Sequence, residues 1–314
     1  MPFPRRIELH EEGPREGFQI EKQSYPINQR AELIDMLAAA GMPKIQVGSF
    51  VGPRVPAMAD TAELFALLQK RPRTRYTALW LNERGFERAR GTPGVDLDGK
   101  LFFYPTDAFS RQNNGCSAAE MQERQENWLS LYDEAGIDIE TAYVMTAFGC
   151  NLSGDVSIEA LTAPVRFLRG LCERDGRPMP NIVLGDTVGW GDPASIKERV
   201  QAVRDVAPDA RVGLHLHDTR GLGIANVYAA LEVGVDLFEA SVASLGGCPF
   251  AAHNDHLGAG NVATEEIVFL CERLGIETGI DLDALIEAAR FAEDMIGRRL
   301  NGRIMHAGAL GKFV

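Results

Sequence analysis

Histidine, cysteine and tryptophan are scarce in this chain of 314 residues, which contains six, five and three of them respectively. The five cysteines fall at irregular spacing, which argues against a disulfide-framed secreted domain and favours a reducing cytoplasm. A mitochondrial form that has lost its transit peptide remains compatible with this composition. The N-terminal segment "MPFPRRIELH" lacks the apolar core of a signal peptide, and no apolar run reaches the roughly 18 residues that span a bilayer.

Positive charge is also in deficit. The 32 Lys and Arg residues face 44 Asp and Glu residues, which gives a formal net charge of −12. This balance disfavours nucleic acid and anionic membrane surfaces as partners. The hydrophobic content of 45% and the charged content of 24% are those of an ordinary globular protein. A small molecule is therefore the expected ligand.

Short apolar runs alternate with segments of helical spacing, and no linker or break in composition divides them. A glycine-rich phosphate-binding fingerprint is missing after the first run, which disfavours the alternative of a doubly wound open sheet. Eight runs over about 250 residues predict a closed parallel α/β fold, the (β/α)8 TIM barrel. We expect one domain over 1–314, with the barrel at about 5–275 and an extra C-terminal helix and tail at 276–314. The predicted strands are 6–9, 44–50, 74–81, 100–105, 141–148, 181–186, 211–217 and 236–243.

Several of the predicted helices have recognisable ends. Ser117 and Glu120 have capping-box spacing at the start of a helix over 117–136. Asp followed by Pro opens another helix over 192–208, which stops before a second Pro. Glycine closes the helices predicted at 31–41, 229–234 and 268–275.

The stretch "VGLHLHDTRGLG" places His215 and His217 one residue apart at the end of the seventh run. Alternate residues of a strand point to the same side, so both imidazoles face one space while Leu214 and Leu216 face the other. Two imidazoles at a strand end are a ready pair of metal ligands, although two hydrogen-bonded histidines would give the same pattern. A carboxylate such as that of Glu16 would extend a site for Mg²⁺ or Mn²⁺, while imidazole also suits Zn²⁺ and Fe²⁺.

Polar side chains follow other runs as well. In a TIM barrel the reactive groups lie where strands end and loops begin, so these side chains are candidates for one shared site. The remaining cysteines show no pattern, and packing is the expected role of those on helical faces. The candidates are Arg15 and Glu16 after the first run, Gln46 and Ser49 on the second, Asp186 at the end of the sixth, and Cys248 and Asn261 after the eighth.

Five segments resemble, in order, the signatures of 3-hydroxy-3-methylglutaryl-CoA lyases. They are "GPREGFQIEK", "SFVGPRVPAMAD", "LGDTVGWGDP", "HLHDTRGLGIANVYAALEVGVDLFEASVASLGGCPF" and "GNVATEEIVFL". These lyases belong to the TIM-barrel metallolyase (DRE-TIM) family, which also holds isopropylmalate and homocitrate synthases, and the "GGCPF" loop favours the lyase branch. The resemblance implies a retro-Claisen carbon–carbon lyase that cleaves a 3-hydroxyacyl-CoA to acetyl-CoA and a keto acid or ketone.

The resemblance also implies a divalent metal cation, Mg²⁺ or Mn²⁺, bound by four side chains. The family's aspartate in "GPRDG" is Glu16 here, and the extra methylene requires the geometry to adjust. An acyl-CoA substrate and a homo-oligomer, taken as a dimer, are the expected partners. The four matching positions are Glu16, His215, His217 and Asn261.

Four further positions match residues that take part in the family's chemistry. Arg15 matches the arginine that polarises the substrate carbonyl and steadies the enolate. Cys248 matches a cysteine on a mobile glycine loop that is assigned to proton transfer. Asp186 and Glu265 match acidic residues with catalytic or supporting roles. Asp186 could instead cap the turn after its strand, and Glu265 could simply interact favourably with the helix dipole from the first turn of its helix.

Departures from the family pattern cluster at the predicted barrel mouth. Gln46 stands where the lyases carry Glu, and Arg220 stands where many carry Tyr. The loop between Cys248 and Asn261 is about four residues longer, and loop variation at this end is how the fold changes substrate. A citramalyl-CoA or a longer 3-alkyl homologue is therefore an alternative substrate. The predicted substrate-binding residues are Gln46, Ser49, Arg220, His253 and His256.

Two other function classes stay open on the sequence. A forward Claisen-type acyltransferase of the same family would use the same metal site with a different acid/base set. A non-catalytic barrel that binds an acyl-CoA or a metal would not need Arg15 or Cys248, yet both are present. Release of acetyl-CoA from a 3-hydroxyacyl-CoA ester separates these classes.

Overall fold

Strands and helices alternate along the protein in the computed structural model, which describes residues 3–21, 23–51, 55–247 and 260–310. The strands are β1 (Glu8–Glu11), β2 (Lys44–Ser49), β3 (Arg75–Leu79), β4 (Gly99–Phe103), β5 (Ile139–Val144), β6 (Gly149–Cys150), β7 (Gly154–Asp155), β8 (Asn181–Asp186), β9 (Val212–Leu216) and β10 (Leu237–Ala240). The helices are α1 (Ile27–Ala39), α2 (Thr61–Leu67), α3 (Glu83–Arg90), α4 (Asp107–Asn114), α5 (Ala118–Ala135), α6 (Ile158–Asp175), α7 (Pro193–Val206), α8 (Gly223–Glu232), α9 (Thr264–Leu274), α10 (Leu282–Ile296) and α11 (Ile304–Ala307).

The chain forms two compact units, each built from separate stretches of sequence. One contains Asp98–Leu237 with Phe3 and Pro4, and its strands lie in the order β9-β8-β5-β4 with every neighbouring pair parallel. The other contains the described residues of Arg5–Leu97 and those from Phe238 onward, with strands in the order β3-β2-β1-β10. Strands β6 and β7 form a short antiparallel hairpin that the sequence did not predict. The single-domain organisation stays a prediction.

Local sequence rules set several helix ends. Ser117 caps α5, because its Oγ accepts a hydrogen bond from the Glu120 N–H at 3.2 Å while the Glu120 carboxylate accepts one from the Ser117 N–H at 2.6 Å. The predicted capping box is thus confirmed. Asp192 caps α7, and Pro193 is its first residue, also as predicted. Replacing such a capping side chain by Ala costs about 1 kcal/mol of stability.

Strand β1 shows how an apolar pattern misplaces a boundary. It covers Glu8–Glu11, two residues beyond the predicted 6–9, because His10 and Glu11 are buried although they are polar. Hydrophobic periodicity ends the run too early when the last strand residues carry polar side chains for the interior. Helix α1 begins at Ile27, immediately after a proline and four residues earlier than predicted.

The strand interiors are buried on both faces, as is typical of parallel sheets covered by helices. All five residues of β9 are buried. Tyr143, Val183 and Leu237 form an apolar cluster, and the Phe102 ring stacks on Tyr143 with the ring centroids 5.1 Å apart. Burying a large apolar side chain stabilises the fold by about 1.5–3 kcal/mol. Within the described ranges, no helix combines the length and the apolar character needed to cross a bilayer.

Candidate active site

The end of β9 carries the two histidines that the sequence singles out. His215 and His217 are buried, and their Nε2 atoms lie 3.1 Å apart, which confirms that both rings face one space. Leu214 and Leu216 are buried as the alternate residues of the same strand. A separation of 3.1 Å allows one proton between two neutral rings, whereas two protonated rings would repel each other. The pair therefore suits a shared hydrogen bond or a cation in place of that proton.

A tight turn after β1 presents Arg15 and Glu16. The turn is a π-helical segment over Gly13–Gly17, in which the backbone N–H groups of Arg15 and Glu16 donate to the Glu12 carbonyl at 3.1 and 2.8 Å. A Cβ on the last glycine of this turn would lie 2.8 Å from a Leu245 side-chain carbon, so glycine is required by the close approach. The "GPREG" motif thus fixes the direction of the two charged side chains between its glycines.

Acceptor side chains hold the Arg15 guanidinium on two sides. Its Nη2 group pairs with Glu12 Oε2 at 2.8 Å and with Glu16 Oε2 at 3.2 Å, and its Nε group donates to Gln46 Oε1. Burial opposes the charge, but the carboxylates of Glu16 and Glu12 outweigh burial and raise the pKa of Arg15. Among the described residues, none accepts a hydrogen bond from Nη1. Nη1 is therefore the donor that a ligand oxygen can use.

Asn261 is oriented by the turn after β1. Its Nδ2 group donates to Glu16 Oε1 at 3.1 Å and to the Leu245 carbonyl at 3.3 Å. Its Oδ1 atom is buried and finds no hydrogen-bond donor in the part of the chain that the structure describes. A buried acceptor without a donor costs free energy unless a ligand satisfies it. Asn261 Oδ1 therefore has the character of a metal ligand.

Three side chains offer ligand atoms for a metal ion, namely Glu16 in one unit and His215 and His217 in the other. Each supplies one ligand atom, a carboxylate oxygen or an imidazole nitrogen. Carboxylate and amide oxygens suit Mg²⁺ and Mn²⁺, and imidazole suits Mn²⁺ and Zn²⁺. The donor set and the unsatisfied oxygen of Asn261 thus fit a divalent cation.

Asp186 is the last residue of β8, and its carboxylate accepts backbone hydrogen bonds from Trp190 at 2.6 Å and Gly191 at 3.0 Å. This is the turn-capping role that the sequence allowed as the alternative to catalysis. Burial raises the pKa of the Asp186 carboxyl, although these bonds and the nearby His217 and Arg220 act in the opposite direction. A buried carboxyl with a raised pKa beside a candidate metal ligand remains a candidate for proton transfer.

Glu265 lies in the first turn of α9, as predicted, and is fully buried. Its Oε2 atom accepts a hydrogen bond from the Ala243 N–H at 3.0 Å, and burial raises the pKa of the carboxyl to about 8. Ala243 and Ser244 have φ values of 57° and 59°, in the left-handed region that residues other than glycine rarely adopt. Glu265 therefore stabilises a strained segment, and such strain is frequent at functional sites.

Glu11 is a buried carboxyl that sequence reasoning missed. Its Oε1 atom accepts hydrogen bonds from the N–H groups of Gly13 at 2.8 Å and Val242 at 2.9 Å, and its Oε2 atom accepts one from Thr264 Oγ1 at 2.6 Å. Burial raises the pKa of Glu11 to about 7 despite these bonds. Glu11 thus joins the turn after β1 to the segment after β10 and to α9. The available signal was an acidic pair, "HEEG", directly after an apolar run.

The structure places two more of the predicted substrate-binding residues. Ser49 Oγ is buried and has no hydrogen-bond partner within the described ranges. Arg220 is exposed, and its Nη1 group donates to the carbonyls of Val188 at 2.7 Å and Gly189 at 2.8 Å. Three predicted residues lie outside the described part of the chain, namely Cys248, His253 and His256.

This chain is similar over nearly its whole length to proteins of one family. The HMGL-like family profile matches residues 6–292. The mitochondrial hydroxymethylglutaryl-CoA lyase of Bos taurus is 36% identical over 307 residues, which cover 97% of this chain and 90% of that protein. A Pseudomonas aeruginosa protein named 3-hydroxy-3-isohexenylglutaryl-CoA/hydroxy-methylglutaryl-CoA lyase is 36% identical over 309 residues, which cover 98% of each chain.

Solved structures agree with the sequence comparison. The hydroxymethylglutaryl-CoA lyase from Pseudomonas aeruginosa superposes with a TM-score of 0.89 at 36% identity and covers 98% of both chains. An HMG-CoA lyase from Acinetobacter baumannii, in complex with coenzyme A and 3-methylmalate, has a TM-score of 0.87 at 31% identity and covers 100% of this chain and 99% of its own. These likenesses confirm the predicted α/β fold of the TIM-barrel type.

Proposed function

Because this chain belongs to the HMGL-like family, we propose that it is a metal-dependent carbon–carbon lyase that acts on a 3-hydroxy-3-methylglutaryl-CoA-like thioester. The products are acetyl-CoA and a keto acid or ketone. The observation that carries the proposal is the 3.1 Å approach of the Nε2 atoms of His215 and His217, which suits a bound cation. The Glu16 carboxylate, which pairs with Arg15, is the third ligand that we propose. The full-length likeness to hydroxymethylglutaryl-CoA lyases supports the reaction class.

The proposed reaction is a retro-Claisen cleavage. The proton leaves the C3 hydroxyl, the electron pair of that O–H bond becomes the second bond of a new carbonyl, and the C2–C3 bond breaks. The electrons of the broken bond form the enolate of acetyl-CoA, which takes up a proton at carbon. The site must therefore accept one proton, donate one proton and stabilise negative charge on the thioester oxygen.

Glu16, His215, His217 and Asn261 would hold the divalent cation, Mg²⁺ or Mn²⁺. When bound, the cation supplies Lewis-acid stabilisation of negative charge on oxygen. Two features of the chain support this assignment. The buried Oδ1 atom of Asn261 accepts no hydrogen bond from the described residues, and its Nδ2 group orients the Glu16 carboxylate. Such hydrogen bonds between ligands set the direction in which each lone pair points.

The remaining residues would act on the substrate or support the site. Arg15 would donate from Nη1 to the thioester oxygen as the enolate develops, and its held position avoids reorganisation during the reaction. Asp186, whose raised pKa favours proton uptake, would accept the hydroxyl proton. Cys248 would donate a proton to the enolate carbon. Glu265 would support the site indirectly by holding the backbone of Ala243.

The acyl substituent would be selected at the mouth by the five substrate-binding residues predicted from the sequence. A longer 3-alkyl homologue or citramalyl-CoA is a second candidate substrate. The name of the Pseudomonas aeruginosa relative gives both 3-hydroxy-3-isohexenylglutaryl-CoA and hydroxy-methylglutaryl-CoA, which supports a longer 3-alkyl homologue as a candidate here. The Acinetobacter baumannii structure is a complex with coenzyme A and 3-methylmalate. The five residues are Gln46, Ser49, Arg220, His253 and His256.

We place the enzyme in the cytoplasm and expect a homodimer. The cytoplasmic location is supported by the state of the described cysteines, all of which are buried and free, as in a reducing compartment. Several relatives are mitochondrial by name, so the compartment is a separate point to test. The cysteines concerned are Cys116, Cys150, Cys172 and Cys271.

Incubation of the purified protein with Mn²⁺ or Mg²⁺ and a panel of 3-hydroxyacyl-CoA esters tests the proposed function. The panel includes the 3-methylglutaryl ester, longer 3-alkyl homologues and citramalyl-CoA. We expect acetyl-CoA to be released from at least one ester, and mass spectrometry of the second product identifies the substituent. The His217→Ala variant serves as the inactive control. A folded, metal-loaded parent protein that releases no acetyl-CoA from any ester would contradict the proposal.

A further inference from the structure

Glu12 is attached to Arg15 through both its side chain and its backbone. The Glu12 carboxylate is 5% exposed and accepts a hydrogen bond from Arg15 Nη2 at 2.8 Å. The Glu12 carbonyl accepts the backbone N–H groups of Arg15 and Glu16, and the Glu12 N–H donates to the Ala240 carbonyl at 2.8 Å. One residue thus connects β10, the turn after β1 and the guanidinium.

The other direct partners of Arg15 cannot replace the charge of Glu12. Gln46 accepts from Nε but is neutral. Glu16 pairs with Nη2 at 3.2 Å, but the proposed function commits this carboxylate to the cation. Glu12 is then the directly contacting carboxylate that the proposed function does not commit to the cation. A charge-assisted hydrogen bond is roughly twice as strong as a neutral one, so the position of the partly buried Arg15 guanidinium depends on it.

We propose that Glu12 is a positioning residue for the lyase reaction, because it holds the Arg15 guanidinium with Nη1 directed at the substrate. This inference rests on the proposed function, and Glu12 itself touches neither the substrate nor the reacting atoms. With Glu12 in place, Nη2 and Nε are engaged and the orientation of Nη1 is fixed. Without it, the guanidinium turns toward Glu16 and competes with the cation for that carboxylate.

Steady-state kinetics of three variants test the inference. Glu12→Gln keeps the shape and removes the charge, Glu12→Asp keeps the charge and shortens its reach, and the double variant with Gln46→Glu returns a carboxylate to the opposite side of the guanidinium. We expect kcat to fall about 10- to 100-fold in both single variants, since a misplaced catalytic group costs up to about 100-fold. KM should change much less, and the double variant should recover most of kcat. Glu8→Gln, on the same strand with 43% of its side chain exposed, is the matched control and should behave as the parent.

Rescue by Gln46→Glu separates positioning of Arg15 from a general loss of fold. Circular dichroism of each variant shows whether it folds, and crystal structures of the parent and Glu12→Gln report the Arg15 side chain without any need for turnover. We expect the guanidinium to leave its parental position in Glu12→Gln. An unchanged Arg15 position together with parental kcat in both single variants would overturn the inference. Absence of acetyl-CoA release by the parent would instead overturn the proposed function, and the Arg15 position would still be read from the structures.

Discussion

The end of β9 and the turn after β1 present metal-ligand candidates by two different physical routes. On β9, strand alternation alone brings the Nε2 atoms of His215 and His217 to 3.1 Å. After β1, a π-helical turn and acceptors from other elements place Arg15 and Glu16, whose carboxylate accepts a hydrogen bond from Asn261. A few consecutive residues determine the first arrangement, whereas the second depends on contacts between residues that are distant in sequence.

The two regions also differ in charge. When His215 and His217 share one hydrogen-bonded proton, both rings are neutral. A cation can therefore bind there without displacing a positively charged side chain. The turn after β1 combines Glu11, Glu12 and Glu16 with the single cation of Arg15, and each carboxylate has its own hydrogen-bond partners. Substitutions on β9 should therefore act through the metal alone, whereas substitutions in the turn should affect the metal and Arg15 together.

Removal of the metal should have the largest effect, because ligands from both regions depend on it. We expect exhaustive chelation to abolish acetyl-CoA release and Mn²⁺ or Mg²⁺ to restore it. His217→Ala should weaken metal affinity by more than about 100-fold, since loss even of a group that only orients a ligand costs 10- to 100-fold. Metal content and acetyl-CoA release are the measurements. Turnover at the parental rate after chelation would show that the reaction does not need the metal.

Cys248 belongs to neither region, so Cys248→Ser separates proton transfer from metal binding. Replacing the thiol by a hydroxyl should reduce kcat by about 100- to 10,000-fold, the range expected for a placed proton donor. Metal content and the oligomeric state of the protein should stay as in the parent. Parental kcat in a Cys248→Ser variant that binds metal normally would take this residue out of the chemistry.

Glu16→Asp tests the turn after β1 at the position where the chain departs from its family. The shorter side chain withdraws the carboxylate from Asn261 Nδ2 and Arg15 Nη2, which it now meets at 3.1 and 3.2 Å. We expect metal affinity and kcat/KM to fall about tenfold, and further in Glu16→Gln, where the charge is lost as well. The conservative change Glu8→Asp is the control. If Glu16→Asp has a metal affinity and a kcat/KM equal to or above those of the parent, the site does not require the longer side chain of Glu16.

The smallest expected effect concerns stability rather than turnover. The pKa of Glu265 is raised to about 8 in the folded protein from an ordinary value of 4.5, so its contribution to stability is complete below about pH 4.5 and is lost as the pH rises through 8. Glu265→Gln mimics the protonated form and should gain stability relative to the parent between pH 6 and 8, by at most about 1.4 kcal/mol for each pH unit. Urea unfolding at both pH values measures the difference.

A control on the same helix isolates the buried carboxyl. Glu272→Gln changes an exposed residue of α9 and should leave the pH dependence of unfolding as in the parent. A free-energy difference between Glu265→Gln and the parent that is the same at pH 6 and pH 8 would show that Glu265 does not titrate in this range.

The sequence predicted those features that consecutive residues determine. Alternation of strands and helices, the capping box at Ser117 and the shared side of His215 and His217 all depend on local periodicity or on neighbours three residues apart. The assignments of Arg15 and Glu16 came from resemblance to a family, and the turn in which they lie supplies the contacts that explain their placement.

The burial of charged residues could not be predicted from the sequence. Glu11 and Glu12 follow an apolar run in a way that is typical of a solvated loop, yet both are buried because backbone donors and Arg15 satisfy their carboxylates. No spacing rule indicates a π-helical turn, and two-residue strands such as β6 and β7 are too short for periodicity to reveal.

Binding of Mn²⁺ to the metal-free protein tests most directly the claim that the β9 pair and the turn after β1 serve one cation. Isothermal titration calorimetry of the parent, His217→Ala and Glu16→Gln compares the two regions under identical conditions. The account predicts one tight site per chain in the parent and a large loss of affinity in both variants, one from each region. Parental Mn²⁺ affinity in either variant would contradict it.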